Sequence, residues 1–170
     1  MADETFLDRV NGHLPIAHKV CRLYFDDKDD RDDAMQEMMY QLWRSYPNFR
    51  GDSKFSTWMY SVCLKTALTY KRNSKKAKKK NESLSPDHHE IPDIGGSDKE
   101  GAIALLFQAI SKLQAVNRAI ILLYLEDLSY EEIAAITGLT KTNVSVRLVR
   151  IKKVLETELR KLNSIEDVNF

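Results

Sequence analysis

Residues 128–155 read LSYEEIAAITGLTKTNVSVRLVRIKKVL, and this stretch decides the fold of the C-terminal part of the chain. Ser129 is a good helix N-cap, and Glu132 three residues later completes a capping-box pattern. Ile133, Ala134 and Ile136 supply an apolar face, and Gly138 stands where a left-handed closing residue is needed. Thr140 can cap a second helix that has Asn143 in its first turn. Val144, Leu148, Ile151 and Leu155 then recur at helical spacing and face inward. The outward face carries Lys141, Thr142, Asn143, Ser145, Arg147, Arg150, Lys152 and Lys153, donors for phosphates and base edges. The pattern is a helix-turn-helix. Its second helix is cationic while its first carries Glu131 and Glu132, the polarity expected when one helix alone meets a DNA duplex. An ordinary amphipathic hairpin is the plain alternative, and the one-sided charge argues against it.

The chain has 170 residues, room for one domain or two small ones. Net charge is only +1, but the charge is segregated. Asp26, Asp27, Asp29, Asp30, Asp32, Asp33 and Glu37 crowd one segment, whereas Ser53–Asn81 holds no acid and many lysines. Such asymmetry points to different partners for different surfaces. Cys21 and Cys63 lie in apolar contexts without a CxxC pair, as expected for buried thiols in a reducing compartment. No apolar run reaches membrane-spanning length, and the acidic start lacks a signal-peptide pattern, so no membrane insertion and a cytoplasmic location are expected.

Strand signals are almost absent, so the expected fold is all-α. Residues 73–101 are poor in apolar side chains and rich in Lys, Ser, Asp, Pro and Gly, the composition of a flexible linker. It separates a helical domain over 1–72 from a second small one over 102–170, which holds the helix-turn-helix. In the first, helices are expected over Glu4–Tyr24 (bent or broken at Pro15), Asp30–Ser45 and Lys54–Arg72. In the second, Ile103–Leu113 and Ala115–Leu125 precede the motif.

The helix over Lys54–Arg72 interleaves aromatic, basic and hydroxyl residues: Phe55, Thr57, Trp58, Ser61, Lys65, Thr69, Lys71 and Arg72. Unpaired bases stack on rings while lysines track phosphates, so this is the composition of a surface for opened DNA. A core helix with solvated lysines is the bland alternative; the absence of any acid weighs against it. The helix over Asp30–Ser45 carries Asp33, Gln36, Glu37, Tyr40 and Trp43, which fit a protein-docking face, and its leading aspartates also suit a helix N-terminus. His88-His89 reads as a chance pair in the linker. No metal site, cofactor site, phosphate loop or nucleophile elbow is present in the pattern, and no enzyme is expected.

Taken together, these pieces resemble the extracytoplasmic-function sigma factors, small two-domain members of the bacterial sigma-70 family. The segment DDAMQEMMYQLWR at 32–44 is similar to the family's acidic region 2 helix, with Asp33, Gln36, Glu37 and Trp43 in register. The segment FRGDSKFSTWMY at 49–60 resembles the Phe-x-Thr-Trp-Leu-Tyr stretch that follows, and Lys65–Arg72 continues its DNA-facing helix. Leu113–Leu155 resembles region 4, with Leu113, Arg118 and Ile121 in its opening pattern.

The resemblance implies three contact surfaces. Asp33, Gln36, Glu37, Tyr40 and Trp43 would dock on core RNA polymerase. Lys54, Phe55, Thr57, Trp58, Ser61, Lys65, Thr69, Lys71 and Arg72 would recognise and melt the −10 element of promoter DNA. Lys141, Thr142, Asn143, Ser145, Arg147 and Arg150 would bind the −35 element, and an anti-sigma factor would be the regulator. The chain departs from the family at Lys65, where Asn is frequent, at Thr69, where an acid is frequent, and in the heavy basic run Lys75–Lys80. Two rival readings are a free-standing dimeric regulator with the same C-terminal domain and a metal-dependent nuclease using Asp32, Asp33 and Glu37.

Overall fold

The computed structural model describes the backbone over residues 2–80 and 98–168, and all regular structure in these residues is helical. The chain divides into two compact units, residues 1–90 and 91–170. The expected linker lies largely outside the described residues, as do His88 and His89 and most side chains of the Lys75–Lys80 run.

The first unit contains α1 (Ala2–Gly12), α2 (Leu14–Tyr24), α3 (Lys28–Ser45), a short 3-10 turn (Tyr46–Asn48) and α4 (Phe55–Lys80). Pro15 breaks the long helix suggested by hydrophobic periodicity into α1 and α2. It occupies the first turn of α2, where its missing N–H leaves no gap in the helical ladder. Helix α4 packs on α2 and α3. Each contributes a stripe at helical spacing: Ala17, Val20 and Cys21 from α2, Ala34, Met38 and Leu42 from α3, and Met59, Cys63 and Ala67 from α4, all buried. The Cys21 thiol lies 3.7 Å from the Met38 sulfur within this core. Helix α4, expected to end at Arg72, continues to Lys80. Residues 73–80 hold Lys, Ala, Ser and Asn without Pro or Gly, so nothing in them stops a helix.

The second unit comprises α5 (Asp98–Ser111), α6 (Ala115–Leu125), α7 (Tyr130–Thr137) and α8 (Lys141–Val168). Ile120, Leu123, Ile133, Val144, Leu148 and Ile151 are its most deeply buried large side chains, and α8 contacts each of the other three helices. The capping box forms: Ser129 Oγ accepts from the Glu132 N–H at 3.1 Å, and the Glu132 carboxylate accepts from the Ser129 N–H at 2.8 Å. Gly138 closes α7 at φ +77°, with its N–H on the Ala134 carbonyl. Thr140 caps α8 through the Asn143 N–H at 3.1 Å. The turn leaving α6 is closed by Asp127 at φ +62°, with the Leu128 N–H reaching back to the Leu123 carbonyl. A short acidic side chain tolerates that left-handed backbone where most residues do not.

Two outcomes follow from these local features. Ser129→Ala removes one half of the capping box and should lower stability by about 1 kcal/mol, read as a lower urea midpoint at unchanged slope. Burial pushes the Cys21 thiol up to about 11 and the Cys63 thiol up to about 12. Alkylation of the native protein by iodoacetamide at pH 8 should therefore be slow at both cysteines and become fast only in denaturant; rapid native labelling of either would contradict the packing.

Candidate nucleic-acid and protein interfaces

Burial of Val144, Leu148, Ile151 and Leu155 turns the opposite side of α8 outward. Lys141, Thr142, Asn143 and Arg150 are exposed, and Ser145 and Arg147 are half-buried. Lys141 pairs with Glu131 across the turn between α7 and α8; both are well exposed, so the pair adds little stability. The hydrogen bond from Lys141 is the main cause that holds the Glu131 carboxyl below its ordinary range. Arg147 Nε donates to Asn143 Oδ1 at 2.9 Å and its Nη1 to Asn117 Oδ1 at 3.0 Å. Asn117 belongs to α6. With Gln114, Asn143, Arg147 and Arg150 it lines a shallow groove of about 350 Å³.

Two cations of this unit are engaged by protein groups. Lys152 is exposed, as expected of the outward face, and its Nζ donates to the Tyr124 hydroxyl at 3.0 Å and sits 4.2 Å from that ring's centre. Arg118 Nε donates to the Leu113 carbonyl at 2.8 Å and so fastens the turn between α5 and α6.

Lys54, just before α4, and Lys65, Thr69 and Arg72 on it are exposed, and Ser61 is half-buried. Two expected DNA contacts are placed elsewhere. Thr57 is only 9% exposed, on the inward side of the helix with Tyr60 and Leu64. Lys71 Nζ donates to the Tyr24 carbonyl at 3.2 Å, where a cation suits the C-terminal end of α2. Phe55 and Trp58 are half-buried in a ring cluster: Phe49 lies 5.1 Å from Trp58 and 5.8 Å from Phe55, and Tyr46 lies 4.9 Å from Phe6. This cluster holds the irregular segment between α3 and α4 against α1. Beside it runs a cleft of about 850 Å³ lined by Arg9, Arg44 and Arg50 together with Trp43, Tyr46 and Phe49. Sequence reasoning missed these arginines and Asn117, because only tertiary packing brings them into place.

On α3, Asp33, Gln36, Tyr40 and Trp43 are exposed and Glu37 is half-buried, while Ala34, Met38 and Leu42 point into the core. Tyr40 is 51% and Trp43 59% exposed, and their rings lie 6.4 Å apart. Large rings left so open form a surface suited to a protein partner. Glu37 accepts from Gln41 Nε2 at 2.9 Å, which orients its carboxylate. Among the described residues no three His, Cys, Asp or Glu side chains converge as a metal site, so the nuclease alternative finds no ligand set there. No described helix is long and apolar enough to cross a membrane.

Comparison with known proteins follows the same division. The family description "Sigma-70 region 2" matches residues 10–77, and "Sigma-70, region 4" matches residues 103–155. The RNA polymerase sigma factor SigV of Bacillus subtilis is 26% identical over 160 residues, spanning 89% of each chain. The ECF RNA polymerase sigma-E factor of Haemophilus influenzae is 29% identical over 150 residues, spanning 79% of this chain and 77% of its own. Among solved structures, the sigma factor RpoE of Bartonella quintana, crystallised with the anti-sigma factor NepR, aligns with a TM-score of 0.71 at 19% identity. That alignment covers 92% of this chain and 98% of the other. CnrH, in complex with the cytosolic domain of CnrY, aligns at 0.64 and 21% identity, covering 94% and 90%.

The Glu131–Lys141 pair yields a titration outcome. A carboxyl held below its ordinary value contributes stability above that value and loses it as pH falls through the lowered one. In a carboxyl-carbon NMR titration, Glu131 should protonate below the ordinary 4.5, and Lys141→Met should move it back toward that value. An unchanged Glu131 midpoint in the variant would mean that the pair is not populated in solution.

Proposed function

The chain belongs to the sigma-70 family, in its extracytoplasmic-function class, and from that premise we propose how its surfaces divide the work. It is an RNA polymerase sigma factor that directs the core enzyme to specific promoters and promotes initiation through −35 and −10 elements. The observation that carries this function is the presence of both sigma-70 segments, in order, on two separate helical units of one chain. The chain needs no chemistry of its own, since bond formation belongs to the polymerase, and it acts in the cytoplasm, where that enzyme works.

The residue assignments rest on exposure and chemistry. The open face of α3, with Asp33, Gln36, Glu37, Tyr40 and Trp43, docks on core polymerase. It is supported by the two exposed rings on that face. Lys54 before α4 and Lys65, Thr69 and Arg72 on it follow the phosphates of the −10 region, and Ser61 with the half-buried Phe55 and Trp58 meets opened bases. Lys141, Thr142, Asn143, Ser145, Arg147 and Arg150 meet the −35 duplex. Thr57 and Lys71 act behind this surface as part of the fold that supports it. An anti-sigma factor is the regulator we assign, supported by a solved neighbour of like fold, RpoE of Bartonella quintana, that is held by the anti-sigma factor NepR. Each DNA surface is small. Fixed on one polymerase, each raises the local concentration of the other for its element.

Run-off transcription with purified core polymerase, on the region upstream of this chain's own operon, should give a promoter-specific product. Its absence there would count heavily against the function. Trp43→Ala should weaken core binding by about 2 kcal/mol while leaving the fold intact, as expected for an exposed anchor residue. Arg147→Ala should weaken binding by about 1–3 kcal/mol, more on a matched promoter than on random DNA. Equal losses on both would assign Arg147 to phosphate alone.

A further inference from the structure

The helix-turn-helix does not hold its principal cation unaided. Arg147 sits on α8, and one of its two partners, Asn143, is a turn earlier on the same helix. The other, Asn117, comes from the first turn of α6, outside the motif and distant in sequence. The two amide oxygens take Nε and Nη1, at 2.9 and 3.0 Å. A guanidinium is a rigid planar fork of five N–H donors, so two acceptors on different nitrogens fix both its position and its plane. The Nη2 pair is left uncommitted to any described protein atom.

Both acceptors are neutral. A carboxylate in either place would also orient the fork, but it would cancel the charge that a nucleic acid needs to meet. The groove that holds these groups is lined by Gln114 and Arg150 as well and contains no acid. The arrangement therefore holds a cation in place without neutralising it. That suits a side chain whose planar donors must match a pair of acceptors on a base edge.

We infer that Asn117 is a positioning residue for promoter recognition: from α6 it sets the plane in which Arg147 presents its guanidinium to the −35 duplex. The inference rests on the reading that Arg147 meets DNA. It adds a specificity-determining residue that lies outside the helix-turn-helix and makes no contact with the duplex itself.

The test uses the full chain bound to core polymerase and a library of promoter fragments randomised across the −35 segment, with bound fragments sequenced. Wild type is compared with Arg147→Ala, Asn117→Ala, Asn117→Asp and the double alanine variant, and the thermal midpoint of each is measured. Arg147→Ala should erase the preference at one or two base pairs. Asn117→Ala should lower the preference at those same base pairs by roughly threefold to tenfold, and the double variant should match Arg147→Ala alone. Asn117→Asp should keep the midpoint but weaken binding to matched and random fragments alike. A purely structural tie would lower the Asn117→Ala midpoint and leave base preference untouched, which overturns the inference. So would a change at different base pairs, or additive losses in the double variant, since either would place Asn117 on the DNA. If Arg147→Ala alters no preference anywhere, the underlying reading of Arg147 falls first, and the inference with it.

Discussion

Rotation of each functional helix about its own axis is the constraint from which the surfaces follow. A helix that buries residues at a spacing of three and four must present everything else on the other side. Burying Val144, Leu148, Ile151 and Leu155 leaves α8 no choice about where Lys141 and Arg150 point. Burying Ala34, Met38 and Leu42 does the same for Tyr40 and Trp43 on α3. Large, fully buried apolar side chains of this kind stabilise by about 1.5–3 kcal/mol each, far more than an exposed polar contact. The core therefore aims the functional groups, and the local polar contacts refine that aim.

This explains which features were legible in the sequence. The capping box at Ser129 and Glu132, the left-handed Gly138 and the Thr140 cap act over a few residues, and each forms as the pattern required. The apolar stripes were equally readable, because helical spacing is a one-dimensional signal. What escaped was set by contact between elements. Thr57 lies among hydroxyl and basic residues in the chain, yet its position on the helix turns it inward. Lys71 and Lys152 look like free cations until the Tyr24 carbonyl and the Tyr124 ring are brought beside them. Asn117 carries no local signature at all. The end of α6 at Leu125 fell where the pattern put it, although Asp127 and not a glycine takes the left-handed backbone just beyond it. The continuation of α4 to Lys80 was hidden by composition, since a lysine-rich run resembles a solvated linker as much as a helix.

The near-neutral total charge conceals a division of labour. Acids gather on α3 and bases on α4, two helices packed against each other in one small unit. Glu37 and Gln41 of α3 line one cleft with Lys65 and Thr69 of α4, so surfaces of opposite sign meet along that seam. Strong net charge would bind DNA indiscriminately.

The sulfur cluster in the first core has a consequence for signalling. Cys21 and Cys63 are the only cysteines in the chain, both are buried, and burial keeps both thiols protonated at neutral pH. Peroxide and disulfide exchange act on thiolates, and with a pKa near 11 only about one molecule in ten thousand carries one at Cys21 at pH 7. The folded chain therefore resists oxidation through these two buried thiols, and it is unfolding that would open them to it.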